Sequence, residues 1–113
     1  MKLPAFEYTE PDSMAEACRT LAAQNGNAQI IACGTELLQA MKNHLKFPRV
    51  LISLERVPDL TQIGYSPDNG LTVGPLVTLH SLMTHPNVTE RYPLIAAAAQ
   101  TVGGTQLQAM GTV

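Results

Sequence analysis

The sequence contains no tryptophan, 4% aromatic residues, two cysteines and only 14% charged residues. Two cysteines, Cys18 and Cys33, are too few for a disulfide framework and fit reduced thiols in a cytosolic protein. Nine acidic and seven basic residues give a formal net charge of −2 with no run of either sign. This balance argues against binding of nucleic acid or of an anionic membrane surface.

Long apolar runs are also absent. No stretch approaches the roughly 20 apolar residues that span a bilayer, and Pro4 interrupts the start before any signal-peptide core begins. We therefore expect a cytoplasmic protein without a membrane span. The chain ends at Val113 with neither a helix cap nor a polar tail, from which we expect a fragment of a longer protein.

What is present is a composition suited to a packed core. The chain has 113 residues, a mass of 12.1 kDa and 45% hydrophobic residues. A globular chain of this length buries about two thirds of the surface that it exposes when unfolded. We expect either one domain of modest size or a piece of a larger one.

The first half alternates helical and strand patterns. Ser13 and Glu16 have the spacing of a capping box, which predicts a helix start. Five residues then recur at helical spacing and predict one buried face, with Cys18 in the core: Met14, Ala17, Cys18, Leu21 and Ala22. Asn25-Gly26-Asn27 predicts the helix end, because Gly and Asn tolerate the left-handed conformation.

Two continuous apolar runs, 29–33 and 50–54, predict strands covered on both faces. Between them Thr35-Glu36 predicts the start of a second helix, which Phe47-Pro48 ends. The apolar face of this helix is predicted to comprise Leu37, Leu38, Met41 and Leu45. The order α-β-α-β favours parallel strands joined by a helical crossover.

Beyond Pro58 the pattern changes to strands around a turn, 60–65 and 71–79, with a break at Gly74-Pro75. A third helix is predicted to begin near Pro93. Its inner face is predicted to comprise Leu94, Ile95, Ala98, Ala99 and Val102.

The strongest candidate for chemistry is the segment 31–36, where a strand ends, Gly34 turns the chain and a helix begins. Unpaired N–H groups at a helix start, small side chains and the Thr35 hydroxyl suit a pyrophosphate without any lysine or arginine. The alternative is an ordinary strand-to-helix turn in which Thr35 caps the helix. The Glu36 carboxylate opposes an anion unless it turns outward, and the dinucleotide pattern G-x-G-x-x-G is absent.

A second cluster of glycine and threonine follows the third helix, at 103–105 and at Gly111-Thr112. It is either helix termination followed by a turn or a second backbone cradle. No Ser-His-Asp or Cys-His arrangement, carboxylate pair or metal cluster can be assembled from the sequence. We therefore predict neither a catalytic side chain nor a metal ligand.

Seven segments together resemble one family. The segments 31–38, 41–42 and 48–52 resemble the opening of the FAD-binding medium subunit of molybdenum hydroxylases, the family of xanthine dehydrogenase, carbon monoxide dehydrogenase and 4-hydroxybenzoyl-CoA reductase. The resemblance continues in order through 57–60, 70–74, 91–94 and 110–113, and it covers essentially the whole chain.

The resemblance implies an α/β (α+β) fold, a FAD-binding domain of the vanillyl-alcohol-oxidase (PCMH) type. Residues 1–58 would form its first α/β subdomain, and 59–113 the truncated beginning of the second. It also implies which residues contact FAD, mainly through backbone amides at the pyrophosphate: Ile31, Ala32, Cys33, Gly34, Thr35, Glu36, Gly111 and Thr112. The implied partners are the remainder of the FAD subunit, a molybdopterin-binding large subunit and a 2Fe-2S small subunit.

Three departures from the family pattern stand out. Cys33 occupies a position where many relatives have glycine, and 107–109 replaces a segment that often carries arginine and asparagine. The missing remainder of the FAD pocket leads us to expect that this chain on its own binds FAD weakly or not at all.

The leading hypothesis is an electron-transfer subunit in which FAD links iron–sulfur clusters of a partner chain to an external carrier. One alternative is a stand-alone flavin oxidoreductase of the same fold, such as a cell-wall precursor reductase. Another is a non-catalytic fragment that docks to partner subunits without holding FAD.

Overall fold

The structure, a computed structural model, describes residues 2–113. The chain divides into two compact units, one up to Pro58 and one from Asp59 onward. The elements in chain order are β1 (Glu7–Thr9), α1 (Met14–Ala23), β2 (Ala28–Ile31), α2 (Leu37–Lys42), β3 (Val50–Ser53), β4 (Ile63–Ser66), β5 (Gly70–Val73), α3 (Leu79–Thr84), α4 (Pro86–Arg91), α5 (Pro93–Gln100) and α6 (Thr105–Met110).

The first unit is built on a parallel sheet with the strand order β1-β3-β2. This confirms the predicted parallel pairing. All four residues of the central strand β3 are buried, as the continuous apolar run predicts. The same prediction was wrong for β2, which is mostly half-buried because it lies at the edge of the sheet.

Helix α1 begins where the capping box predicts. The Ser13 hydroxyl accepts a hydrogen bond from the Glu16 N–H at 3.1 Å, while the Glu16 carboxylate accepts from the Asp12 N–H at 3.3 Å. The predicted buried face was wrong, since Ala17 is its only buried residue and Cys18 is exposed. A small residue at the contact point lets the helix lie on the sheet while the larger side chains remain at its rim.

Helix α2 is shorter than predicted. It buries Met41 completely, but it ends at Lys42, and Leu45 beyond it is 74% exposed. The prediction that Leu45 shares the buried face was therefore wrong. The cause is His44, whose φ of +56° turns the chain out of the helix.

The second unit begins with an antiparallel hairpin in which Ile63 pairs with Val73 and Ser66 with Gly70. The second strand ends before Gly74-Pro75, where the sequence predicts a break. Added to Gly74, a Cβ would overlap the Leu60 carbonyl group, so only glycine fits there. The predicted continuation of this strand to 79 was wrong, because Val77 is buried in the core and Leu79 begins a helix.

Four helices cover the rest of the second unit. Its buried core comprises Val77, Leu82, Val88, Ala96 and Ala99. Helix α5 begins at Pro93 as predicted, but its predicted inner face was largely wrong: Leu94 is 82% exposed, whereas Ala96 and Ala99 are buried. The alanine side chains let α5 pack closely on its neighbours, which leaves its larger residues outside.

In residues 2–113, none of the helices is both long enough and apolar enough to cross a bilayer.

Candidate functional site

The loop between β2 and α2 contains six of the predicted site residues, Ile31 to Glu36. Gly34 lies at its centre with a φ of +78°, in the left-handed region that favours glycine. A Cβ at Gly34 would lie 3.0 Å from the Leu38 Cδ1 and 3.2 Å from the Ile31 Cδ1. The conformation therefore favours glycine at this position, and a Cβ would also require the Leu38 and Ile31 side chains to shift slightly.

Backbone hydrogen bonding leaves donors available in this loop. The Leu38 N–H donates to the Gly34 carbonyl oxygen and the Ala40 N–H to the Glu36 carbonyl oxygen, both at 3.0 Å. Within residues 2–113, no carbonyl oxygen accepts from the N–H groups of Gly34, Thr35 or Glu36. Successive N–H groups beside a left-handed residue form a concave donor set that suits an anion.

Thr35 does not cap α2, contrary to the simpler interpretation of the turn. The cap residue is Glu36, and no side chain caps the helix there. The Thr35 hydroxyl instead lies 3.3 Å from the Cys33 thiol. Because α2 has only six residues, its dipole is short, and the loop amides are the stronger candidates for contact with an anion.

The loop contains one charged side chain, Glu36, and one reactive side chain, Cys33, and neither is fully buried. Glu36 is exposed, so its carboxylate can point to solvent while its N–H faces a ligand. Cys33 is half-buried. The Ala32 and Cys33 side chains are small, and Thr35 and Glu36 are exposed, whereas Gly34 itself is buried.

The other two predicted residues, Gly111 and Thr112, belong to the second unit. The Gly111 N–H already donates to the Leu107 carbonyl oxygen at 2.6 Å, and the Gly111 carbonyl oxygen accepts from the Leu79 N–H at 2.8 Å. Thr112 forms an isolated antiparallel bridge with Thr78. No carbonyl oxygen in the described chain accepts from the Thr112 N–H, so Thr112 rather than Gly111 offers an amide to a ligand.

Gln108 is a polar residue whose role the sequence did not reveal. Its side chain is buried, and its Nε2 donates to the carbonyl oxygens of Gln100 at 2.9 Å and Val102 at 3.2 Å. These bonds tie α6 to the end of α5. The departure from the family pattern at 107–109 marks this position, but its partners are set by the tertiary fold.

Outside this loop, the titratable side chains of the described residues form no metal-binding cluster. Among residues 2–113, no group of three or more His, Cys, Asp or Glu side chains could hold a metal ion. His44 follows α2 and His80 lies in α3, while the His85 Nδ1 accepts from the Asn87 N–H at 3.2 Å and caps α4.

The pKa of Tyr8, on β1, is raised above its ordinary value. A hydrogen bond from Ser53 lowers this pKa, but burial, the hydrogen bond to Glu10 and the charges of Glu10 and Glu55 together raise it more.

Comparison with known proteins gives the family. Residues 4–113 match the family described as the FAD binding domain in molybdopterin dehydrogenase. The chain belongs to this family. The molybdopterin dehydrogenase FAD-binding family is an oxidoreductase family with FAD as its cofactor, as the sequence resemblance implies.

Two relatives that are similar to this chain are a medium subunit and a medium chain. The chain is 36% identical to the nicotine 6-hydroxylase medium subunit of Paenarthrobacter nicotinovorans over 113 residues, which is 100% of this chain and 39% of that protein. It is 33% identical to the carbon monoxide dehydrogenase medium chain of Hydrogenophaga pseudoflava over 110 residues, 97% of this chain and 38% of that protein. The chain thus spans less than two fifths of these relatives.

Solved structures share the fold. Carbon monoxide dehydrogenase from Hydrogenophaga pseudoflava matches 99% of this chain and 39% of its own with a TM-score of 0.93 and 33% identity. Quinoline 2-oxidoreductase from Pseudomonas putida 86 matches the same shares with a TM-score of 0.92 and 34% identity. The predicted mixed α/β FAD-domain fold is confirmed.

Proposed function

We propose that this chain forms the first subdomain and the beginning of the second subdomain of a FAD-binding electron-transfer subunit. The subunit belongs to a cytoplasmic molybdenum hydroxylase complex, with a molybdopterin-binding large subunit and a 2Fe-2S small subunit as partners. Bound FAD supplies the redox chemistry between the partner's iron–sulfur clusters and an external carrier. In this role no side chain of the chain needs to act as acid, base or nucleophile.

The observation that carries the proposal is the Gly34 loop. It combines a left-handed glycine, small neighbouring side chains and three amides without a carbonyl acceptor in residues 2–113. Amides fixed in this way bind the FAD pyrophosphate without losing hydrogen bonds to the protein, so the residues present fit the cofactor. Separately, the second unit has the Thr112 N–H, from which no carbonyl oxygen of the described chain accepts a hydrogen bond.

The residues around the amides hold them in place. The Leu38 N–H bond fixes the Gly34 carbonyl oxygen on the α2 side of the loop. In the second unit, the bonds of Gly111 to Leu107 and Leu79 fix the backbone that leads into Thr112. Preorganised donors reduce the ordering cost of binding.

The test is to purify the protein from its native source under mild conditions and to analyse the flavin and the chains that co-purify. We expect FAD, released by denaturation, together with a molybdopterin-containing and an iron–sulfur subunit. Flavin without these partners would favour the stand-alone oxidoreductase. A folded protein that lacks flavin and takes up none would contradict the proposal and favour the docking fragment.

A further inference from the structure

The segment 42–47, which follows α2, concentrates positive charge on an exposed surface; we call it the 42–47 patch. It contains Lys42 and Lys46, with Arg49 shortly beyond it, and there is no acidic residue between Glu36 and Glu55. Both lysines are exposed. No carboxylate among the described residues lies within 4.0 Å of either ammonium group.

Two large apolar side chains lie on the same patch. Leu45 is 74% exposed and Phe47 is 63% exposed. The Leu45 and Phe47 side chains are therefore exposed to solvent, and they lie beside two lysines that have no ion-pair partner within the described chain. Buried apolar or aromatic anchors with a charged rim are the usual anatomy of a protein–protein interface.

The backbone holds these side chains outward at a cost in conformational energy. The Leu45 N–H donates to the Ala40 carbonyl oxygen at 2.8 Å and the His44 N–H to the Met41 carbonyl oxygen at 3.1 Å, the pattern of a Schellman motif. Its left-handed position usually holds glycine, but here His44 occupies it with a φ of +56°. The residue after it commonly packs back on the helix, whereas Leu45 points to solvent.

The His44 side chain supports the arrangement. Its ring stacks on Phe47 with centroids 6.0 Å apart and planes 25° apart. A cavity of about 200 Å³ adjoins the patch, and its lining comprises Gln29, Glu36, Leu37, Ala40 and Lys46. The patch thus offers an aromatic surface, an aliphatic side chain and a recess lined by both Lys46 and Glu36.

We propose that the 42–47 patch docks an acidic segment with apolar side chains on another protein subunit of the complex. The positive charge of the patch selects an acidic partner, and Leu45 and Phe47 provide the contact area. Two lysines are too few for a nucleic-acid footprint in a chain of net charge −2. The proposal rests on the proposed function, since it needs a partner subunit.

The first experiment places a photo-crosslinking amino acid at position 45 in the assembled native complex and identifies the linked peptide by mass spectrometry. We expect a peptide of a different subunit, rich in Asp or Glu. Cross-links only to a second copy, to the same subunit or to a basic segment would overturn the proposal, as would the absence of any cross-link in an assembled complex.

The second experiment measures reassembly of the complex from purified subunits. Leu45→Asp and Lys46→Glu are each expected to weaken association roughly tenfold or more. Met14→Asp and Arg19→Glu make the same chemical changes on α1 of the same unit and are expected to assemble normally. Circular dichroism and Tm check that each variant is folded.

The two failures are distinguishable. A wild-type complex without flavin contradicts the proposed function, and one without partner subunits contradicts both proposals. A flavin-containing complex that assembles equally well with Leu45→Asp and Lys46→Glu contradicts only the docking proposal.

Discussion

The side-chain amide of Gln108 donates to the carbonyl oxygen of Gln100 at 2.9 Å, linking α6 to the last residue of α5. The same Nε2 also reaches the Val102 carbonyl oxygen at 3.2 Å. One buried side chain thus satisfies two carbonyl groups near the end of a helix, where intrahelical donors are missing. Gln108 lies four residues before Thr112, and so it stabilises the backbone that leads to that amide.

Replacing Gln108 by leucine is expected to destabilise the protein by about 1–3 kcal/mol, because the carbonyl oxygens of Gln100 and Val102 lose the donor that the buried Gln108 side chain supplies. Denaturant unfolding followed by circular dichroism measures the change. Gln106→Leu, on the exposed side of the same helix, is the matched control and is expected to remain within about 0.5 kcal/mol of wild type. Equal stability of the two variants would show that the Gln108 bonds contribute nothing.

Gly34→Ala is expected to cost about 1–2 kcal/mol, because alanine in the left-handed region is strained. It should also weaken FAD binding by the complex roughly tenfold, since it displaces the loop amides. Gly26→Ala is the control: Gly26 has a φ of +87° but open space around it. We expect Gly26→Ala to lose stability with unchanged FAD affinity. If both variants weakened FAD binding equally, the assignment of the Gly34 loop as a FAD contact would be contradicted.

His44→Gly is expected to stabilise the protein by up to about 1 kcal/mol, because glycine adopts the left-handed conformation without strain. The gain is limited because glycine loses more conformational entropy on folding than histidine does. If Phe47 needs the stacked His44 ring for docking, the same variant reassembles less well with its partners. Thermal unfolding and the reassembly assay measure the two effects. Lower stability of His44→Gly would show that the ring stack outweighs the backbone strain.

The Tyr8 hydroxyl donates to the Glu10 carboxylate at 2.9 Å, which favours the protonated phenol. The raised pKa means that the folded state holds this proton more tightly than the unfolded state does. The resulting stabilisation is present below the unfolded pKa and is lost as the pH rises through the folded one. Glu10→Gln is expected to lower the Tyr8 pKa, measured by ultraviolet absorbance titration against a Tyr8→Phe reference. An unchanged titration would exclude Glu10 as a cause.

Local signals predicted part of the fold. Ser13 marks the start of α1 and Pro93 the start of α5, since both act through nearest backbone groups. Helices α3 and α4 have six residues each, too short for a periodic apolar pattern. Leu94 was predicted inside by its hydrophobicity, but close packing through the α5 alanines decides which face is buried.

The candidate site shows the same limit. Gly34 is recognisable because a strand, a glycine and a helix are adjacent in the sequence. The engagement of the Gly111 N–H with Leu107, and the burial of Gln108, depend on how α6 packs. A sequence pattern shows which backbone is near a ligand, whereas the fold determines which of its amides remain available.

The measurement that tests the central claim most directly is hydrogen–deuterium exchange of the assembled complex with FAD, with riboflavin and without flavin. The account predicts that FAD slows exchange in peptides that contain the Gly34, Thr35, Glu36 and Thr112 amides, whereas riboflavin, which has no pyrophosphate, does not. Tightly bound FAD with unchanged exchange at these amides would contradict it.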